Sequence, residues 1–231
     1  MKKINLTLIM FVSIFVTNNL FSQSIINDKD GFVNVRKEAN KESKLIDTLR
    51  NGHLIYDLER EGKWVNIDYF KNNESFSGYI YNDRFKRINE FEEIKRKKIN
   101  DNEVVLANDS IEISVTQVKF EPKKHKFTYS KENKTAITLI DKKQYYGTDG
   151  DAPKTQYEEV KIKIKDKIIT LPKSATENLY EPSLNKIVVH YDEINKTIYI
   201  DSINSDGAGG YVVVWKIKNG KYVDRYVFYG F

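Results

Sequence analysis

Residues 30–36 read Asp-Gly-Phe-Val-Asn-Val-Arg, and this stretch decides the fold of the N-terminal half. Its apolar and polar residues alternate with a period of two, which is the pattern of a β-strand with one buried face. Further short strands are predicted over residues 45–49, 53–58, 63–69 and 78–81. Because Gly-containing turns separate several of these strands, the pattern predicts a small β-barrel or sandwich. A polar loop is expected over residues 71–77.

Five blocks of this segment, in the same order, resemble the bacterial SH3 domain family. The blocks are residues 30–36, residues 43–49 (Ser-Lys-Leu-Ile-Asp-Thr-Leu), Asn51-Gly52, residues 62–67 (Gly-Lys-Trp-Val-Asn-Ile) and Gly78-Tyr79-Ile80. The family usually has a tryptophan where Tyr79 stands. The resemblance implies a small SH3-like barrel over residues 24–88 that binds cell-wall peptides or other extended ligands in a groove edged by aromatic side chains.

The resemblance also implies the ligand-binding residues of such a barrel. They are four aromatic residues with two polar partners: Trp64, Tyr69, Tyr79, Tyr81, Asn34 and Arg36. Flat aromatic faces beside hydrogen-bonding groups suit short peptides and sugar rings. In the alternative interpretation, Trp64 and Tyr79 fill the core or its rim and Arg36 only holds a loop.

The N-terminus has the features of a secretory signal peptide. Lys2 and Lys3 precede a mostly apolar run from Ile4 to Phe21, and small or polar residues follow at positions 22–24. The apolar core is short for a membrane span, so we expect cleavage near residue 23 rather than a membrane anchor. The sequence therefore predicts a periplasmic or secreted protein with no integral membrane segment after cleavage.

Composition excludes several classes of function. The chain has no cysteine, so disulfides, thiol nucleophiles, cysteine-ligated metals and lipid attachment at a lipobox are excluded. Its 38 basic and 33 acidic residues give a formal charge of +5 and are interspersed along the chain, which argues against nucleic-acid binding. No cofactor-binding motif is present, and no cofactor is predicted.

The C-terminal half is predicted to be a second, larger and mostly antiparallel β domain over residues 104–231, of a family that the sequence does not identify. Residues 89–103 are dense in charge and carry one thin apolar stripe, which predicts a linker with a short surface helix. One short helix is also predicted over 174–180, with Ser174 as its cap.

The strand pattern of this half is specific at several points. A phase slip at Thr116-Gln117 predicts a β-bulge. Hairpins are predicted around Lys165-Asp166, between residues 187–191 and 197–203, and at Asn219-Gly220, where Asn-Gly favours the positive φ angles of a two-residue turn.

Two loops rich in glycine and aspartate form a possible second site. They are residues 147–151 and residues 204–211, and the candidate side chains are Asp149, Asp151, Asp206 and Tyr211. Glycine allows close approach to a ligand, and clustered carboxylates hold calcium, but the spacing matches no known calcium loop. Turn formation is the simpler interpretation, and no metal site is predicted.

No catalytic constellation is identified. No serine lies in a nucleophile turn where His53, His125 or His190 could act as its base. A histidine in a strand is commonly hydrogen-bonded to neighbouring residues without a catalytic role. The leading hypothesis is a non-catalytic envelope protein whose barrel binds peptidoglycan or an envelope protein. The alternatives are an inhibitor or immunity-type protein that blocks a partner enzyme, and a carboxylate-based hydrolase sited in the C-terminal half.

Overall fold

A computed structural model gives the structure of residues 22–71 and 74–229. Most of these residues lie in antiparallel sheets, and every helix among them is a 3₁₀ helix of three residues. The prediction of a mainly β fold is therefore confirmed. No helix in these two ranges combines the length and the apolar character needed to cross a membrane. The predicted signal peptide lies outside the described residues, except for Ser22 and Gln23.

The N-terminal half forms one antiparallel sheet that curls into a half-barrel. Its strands are β1 (Ser22–Ile26), β2 (Phe32–Arg36), β3 (Leu45–Arg50), β4 (Leu54–Glu61), β5 (Trp64–Lys71), β6 (Glu74–Tyr81) and β7 (Phe85–Arg87). Their order in the sheet is β3-β2-β6-β5-β4-β1-β7. The inner face buries the alternate apolar residues of each strand: Ile26, Val33, Val35, Leu49, Ile55, Val65, Ile67, Tyr69 and Ile80.

The prediction of a loop over residues 71–77 is wrong. β5 and β6 continue past the core as a hairpin, in which Phe70 pairs with Ser75 and Lys71 with Glu74. The arms mix polar side chains with Phe70, which packs against the cluster that includes Phe228, and with Phe76, which stacks on Tyr69. The ladder pairing therefore continues through a segment whose polar residues suggested a loop. Ser77 supports the arm by donating a hydrogen bond to Asn66 Oδ1 at 3.2 Å.

The prediction of a short surface helix within residues 89–103 is also wrong. The segment contains a 3₁₀ helix at Ile88–Glu90 and the strands β8 (Glu92–Glu93) and β9 (Arg96–Ile99). Ile88, at the start of this 3₁₀ helix, joins an apolar cluster that contains residues of both halves, whereas Ile94 enters the core of the C-terminal half. The backbone N–H of Ile94 donates to Val189 O at 2.8 Å, so pairing with a distant strand replaces the helix.

The C-terminal half contains two five-stranded sheets and a two-stranded hairpin. The strands are β10 (Glu103–Ala107), β11 (Ile111–Lys119), β12 (Phe127–Tyr129), β13 (Ile137–Ile140), β14 (Thr155–Ile164), β15 (Lys167–Thr170), β16 (Ile187–Asp192), β17 (Thr197–Asn204), β18 (Tyr211–Lys218) and β19 (Lys221–Tyr229). One sheet has the order β15-β14-β11-β10-β9 and the other β19-β18-β17-β16-β8, while β12 pairs with β13. Apolar residues of both five-stranded sheets form one core around Trp215.

The predicted turns and pairings of this half are confirmed. The register of β11 against β14 shifts between Thr116 and Gln117, where the bulge was predicted. The hairpin residues Asn219 and Gly220 both have positive φ, at 52° and 64°. β16 pairs with β17, and β14 pairs with β15 across Lys165-Asp166. The period of two was therefore sufficient to locate these strands.

The helix predicted over residues 174–180 is wrong in extent. Only a 3₁₀ helix at Lys173–Ala175 forms. Asn178 and Glu181 adopt left-handed backbone conformations, with φ of 60° and 50°, which end any helical run. Tyr180 instead forms a bridge with Gln156.

The two halves pack against each other through a third apolar cluster. One side of it comes from β1, β4 and the 3₁₀ helix at Ile88–Glu90, and the other from β17, β18 and β19; its members are Ile25, Leu54, Tyr56, Ile88, Tyr199, Val214 and Phe228. The ring of Phe228 lies 4.1 Å from that of Tyr56 and 5.0 Å from that of Phe70. The C-terminal sheet thus covers the outer face of β1 and β4.

Candidate functional site

Five of the six predicted ligand-binding residues lie on one outer face of the half-barrel. On β2, Val33 and Val35 enter the core, so Asn34 and Arg36 point outwards. Trp64 pairs with Tyr81, and Tyr79 pairs with both Asn66 and Arg36. Because paired residues of neighbouring strands point to the same side of a sheet, these side chains share one face. Asn34, Arg36, Trp64, Tyr79 and Tyr81 are called the polar-aromatic face below.

Trp64 and Tyr81 form the rigid part of this face. Their rings are stacked, with centroids 4.1 Å apart and planes 23° from parallel. Only 8% of Trp64 is exposed, whereas Tyr81 is half-buried. Tyr81 therefore covers the indole, and a ligand would meet the Tyr81 ring before the Trp64 ring.

Tyr79 and Arg36 are held by hydrogen bonds within the half-barrel. The Tyr79 hydroxyl donates to Glu61 Oε1 at 3.0 Å, and this hydrogen bond raises the pKa of Tyr79. The Arg36 guanidinium donates to Ser43 O at 2.7 Å and thereby holds the loop between β2 and β3. This contact fits the alternative interpretation, in which Arg36 holds a loop. Its other guanidinium N–H groups have no acceptor among residues 22–71 and 74–229.

Asn34 completes the face on its exposed side. Its Oδ1 accepts a hydrogen bond from Thr48 Oγ1 at 3.2 Å, between the paired strands β2 and β3. The amide N–H₂ of Asn34 has no partner among the described residues. The face therefore combines two half-buried aromatic rings with amide and guanidinium donors.

Tyr69 does not belong to this face. It is five residues from Trp64 on the same strand, and an odd separation places the two side chains on opposite sides of the sheet. Tyr69 is 1% exposed in the core, and its hydroxyl donates to Asp47 Oδ2 at 3.2 Å. Burial raises the pKa of this phenol, and the Asp47 carboxylate adds to the effect. Its role is to anchor β3 to β5.

The two glycine-rich loops of the predicted second site lie against each other. Ser205 Oγ donates to Gly147 O at 2.6 Å, and a Cβ added at Gly209 would lie 2.9 Å from the Cα of Thr148. This close approach requires glycine at position 209. The loops are therefore brought together by backbone packing.

The four candidate side chains of these loops do not converge. Asp149, Asp151 and Asp206 are exposed, whereas Tyr211 is fully buried and donates from its hydroxyl to Tyr180 O at 2.9 Å. Within residues 22–71 and 74–229, no group of three or more His, Asp or Glu side chains has the arrangement of a metal site. Turn formation, the simpler interpretation of these loops, accounts for their sequence.

The structure pairs two histidines with aspartates that the sequence did not associate with them. His190 Nδ1 lies 3.8 Å from Asp201 Oδ1, both atoms are buried, and neither has a hydrogen-bond partner among the described residues. His125 Nδ1 lies 2.7 Å from Asp141 Oδ2 at the surface. Asp141 lies 16 residues from His125, on the far side of the β12–β13 hairpin, so no local motif signals this pair.

Comparisons with known proteins identify no relative. No protein-family profile, no curated protein sequence and no solved structure matches this chain.

Proposed function

We propose that this chain is an exported, non-catalytic protein of the cell envelope, and that its half-barrel binds a cell-wall peptide or peptidoglycan through the polar-aromatic face. The observation that carries the proposal is that Asn34, Arg36, Tyr79 and Tyr81 share one outer face that the apolar cluster between the two halves does not cover.

The chemistry of this face suits a polar chain with flat or extended groups. The Tyr79 and Tyr81 rings offer apolar surface, and the donors of Asn34 and Arg36 offer hydrogen bonds to carbonyl or carboxylate oxygens. Because β5 and β6 and the Trp64–Tyr81 stack hold these groups in place, binding costs little conformational entropy.

The alternative to a wall ligand is a protein partner in the envelope. Aromatic and arginine side chains are also the residues that dominate protein–protein interfaces, so the face itself suits either ligand. The first experiment must therefore separate the two.

The test is co-sedimentation of the chain from residue 22 onwards with purified cell-wall sacculi. The test variant is Tyr79→Ala with Tyr81→Ala. The matched control is Tyr129→Ala with Tyr229→Ala, which removes two exposed tyrosines from the C-terminal half. Trp64 is left in place because its burial makes its replacement a folding defect. Circular dichroism and urea unfolding check that each variant is folded.

We expect the unaltered chain and the control to sediment with sacculi, and the affinity of the test variant to fall by about fivefold or more. If the unaltered chain stays in the supernatant, or if the folded test variant sediments as well as the control, wall binding through this face is wrong. A stoichiometric complex with an envelope protein that the test variant loses would then identify a protein partner instead.

A further inference from the structure

The surface at which the two halves meet contains buried polar atoms that the fold does not satisfy. Among the described residues, four buried side-chain atoms have no hydrogen-bond partner: His53 Nε2, Gln117 Oε1, His190 Nδ1 and Asp201 Oδ1. All except the Gln117 atom lie where the half-barrel meets the C-terminal sheet. Buried polar atoms are usually hydrogen-bonded, so each exception needs a physical explanation. The three exceptions at this surface all belong to titratable groups.

His53 lies in the turn before β4, at the edge of the apolar cluster that joins the halves. Its backbone is fixed on both sides, because its N–H donates to Arg50 O at 3.1 Å and its carbonyl accepts from the N–H of Ile26 at 2.9 Å. Its ring lies edge-on to that of Tyr69, with centroids 6.0 Å apart. Leu54, the next residue, belongs to the apolar cluster. The turn therefore holds the imidazole against β5.

A lysine of the other half lies beside this ring. The Lys216 ammonium donates to the carbonyl of Gly52, the residue before His53. Within residues 22–71 and 74–229, no carboxylate forms an ion pair with Lys216, and burial lowers its pKa, with the charge of Lys218 adding to the effect and that of Asp224 opposing it. A largely buried ammonium without a carboxylate partner makes a second positive charge beside it unfavourable.

The groups that face His53 favour its neutral form. Burial lowers the pKa of His53 from its usual value of 6.5, and the charges of Lys216 and Lys71 lower it further. The backbone of Phe70 and the carboxylate of Asp47 act in the opposite direction, but Asp47 is already paired with Lys71 at 2.5 Å. In an imidazolium both ring nitrogens carry protons, so protonation would leave a buried N–H group at Nε2 without an acceptor among the described residues.

We infer that His53 and Lys216 form an acid-sensitive latch between the two halves, closed when the imidazole is neutral and loosened when it is protonated. Protonation places an imidazolium beside the Lys216 ammonium, and both cations gain hydration if the turn at residues 50–53 separates from β18. The apolar cluster still joins the halves, so the opening is local to this turn and the part of β18 that it contacts. The inference does not depend on the function proposed for the half-barrel.

The direction of the pH dependence follows from the folded-state pKa. Because the pKa of His53 is lower in the folded state than in the unfolded state, its stabilising contribution is complete above about pH 6.5. It is lost as the pH falls through the folded-state pKa. The other buried pair at this surface, His190 with Asp201, has the opposite sign, because burial raises the pKa of Asp201 and acid therefore favours its folded form. Loosening by mild acid is thus assigned to His53.

The test is hydrogen exchange of the chain from residue 22 onwards at about pH 7.5 and about pH 5, read by mass spectrometry in peptides that cover residues 50–58 and 211–218. Protection factors in the unaltered chain should fall by about threefold or more at the lower pH. His53→Gln cannot gain the proton and should show no such fall, whereas the control His125→Gln should behave like the unaltered chain. At about pH 5 the carboxylate of Asp28 is still ionised, because its pKa lies below 3.8, so its ion pair does not enter the comparison.

A second measurement follows His53 directly and does not depend on how His53→Gln folds. The chain has three histidines, so each ring signal in an NMR titration is assigned by its loss in a single variant. The His53 signal should titrate below pH 6.5. Lys216→Met, which removes the neighbouring charge, should raise its midpoint by about half a pH unit or more, and Lys218→Met, at an exposed position of the same strand, should change it less.

The inference is overturned if His53 titrates at or above pH 6.5, or if the unaltered chain keeps its protection at about pH 5. It is also overturned if folded His53→Gln loses as much protection as the unaltered chain. Failure of sacculus binding with the expected behaviour of His53 would contradict only the function proposed above.

Discussion

The ammonium group of Lys216 in β18 donates a hydrogen bond to the backbone carbonyl of Gly52, at 2.5 Å. The two residues are 164 positions apart, one in the C-terminal sheet and the other in the turn before β4 of the half-barrel. Lys216 is largely buried, which lowers its pKa, and a Cβ at Gly52 would lie 3.1 Å from its nitrogen. A lysine that alternation alone would assign to solvent therefore joins the two halves.

Replacing Lys216 by methionine should destabilise the packing of the two halves. The variant keeps the length of the side chain but leaves Gly52 O without its donor, so we expect a loss of about 1–2 kcal/mol in the free energy of unfolding. Urea unfolding followed by tryptophan fluorescence measures it. Lys218→Met, which removes an exposed lysine from the same strand, is the control. Equal stability of the two variants would mean that the bond contributes nothing.

Replacing Gly78 by alanine should disturb the half-barrel. A Cβ at this position would lie 2.6 Å from Val35 Cγ1 and 2.9 Å from Arg36 O, and the backbone oxygen cannot move without breaking the sheet. Overpacking of this kind costs about 1–3 kcal/mol. Thermal unfolding of Gly78→Ala should show the loss, whereas Ser75→Ala, at an exposed position of the same strand, should remain within about 0.5 kcal/mol of the unaltered chain. An unchanged melting temperature for Gly78→Ala would refute the close packing of β2 against β6.

The ion pair of Asp28 with Arg84 should make stability depend on pH in the acid range. Burial alone would raise the pKa of Asp28, but the hydrogen bonds from Arg84 and from the Asp30 N–H outweigh it and hold the pKa below 3.8. Because the pKa of Asp28 is lower in the folded state than in the unfolded state, the stabilisation is present above about pH 4. It is lost as the pH falls through the folded-state pKa.

Asp28→Asn tests this pair. We expect it to reduce the free energy of unfolding by about 1–3 kcal/mol near neutral pH, and the difference from the unaltered chain to shrink below about pH 4. Asp30 is 61% exposed and 3.8 Å from Arg84, so Asp30→Asn should have an effect below about 1 kcal/mol. The prediction fails if urea titrations at several pH values give parallel curves for Asp28→Asn and the unaltered chain.

Buried tyrosines should make the protein unfold in alkali. Burial raises the pKa of Tyr180, Tyr222 and Tyr226 to about 12, from an ordinary value of 10.0. Because the folded-state pKa is higher, the stabilisation is complete below pH 10 and is lost as the pH rises to about 12. Ultraviolet titration of tyrosinate and circular dichroism should show ionisation of these phenols together with unfolding. Tyr226→Phe should shift the transition to higher pH, and Tyr129→Phe, at an exposed position, should not; the reverse order would contradict the assignment.

Local sequence predicted the strands of this protein well where alternation was clear. The Asn219-Gly220 turn depends on backbone geometry that two neighbouring residues determine, and it was found where expected. The irregularity predicted at Thr116-Gln117 was also found there, although the extra residue, Glu158, lies on the partner strand β14. Five of the predicted ligand residues share a face because the same period of two placed them there.

The failures have a different physical origin. Residues 89–103 have a helical stripe, yet Ile94 pairs with Val189, which is 95 positions away, and this pairing outweighs the local propensity. Tyr69 was grouped with Trp64 by its aromatic character, although an odd spacing places it in the core. The pairs His125–Asp141 and Lys216–Gly52 carry no local signal at all.

The sequence by itself therefore determined the strands with clear alternation, the turns between them and which side of each of these strands is apolar, because these follow from contacts between residues a few positions apart. Only the tertiary structure decided which strands are neighbours, which histidines lie beside aspartates and how the two halves pack. Those features depend on contacts between residues far apart in the chain, where the gain from burial and pairing is large enough to outweigh local preference.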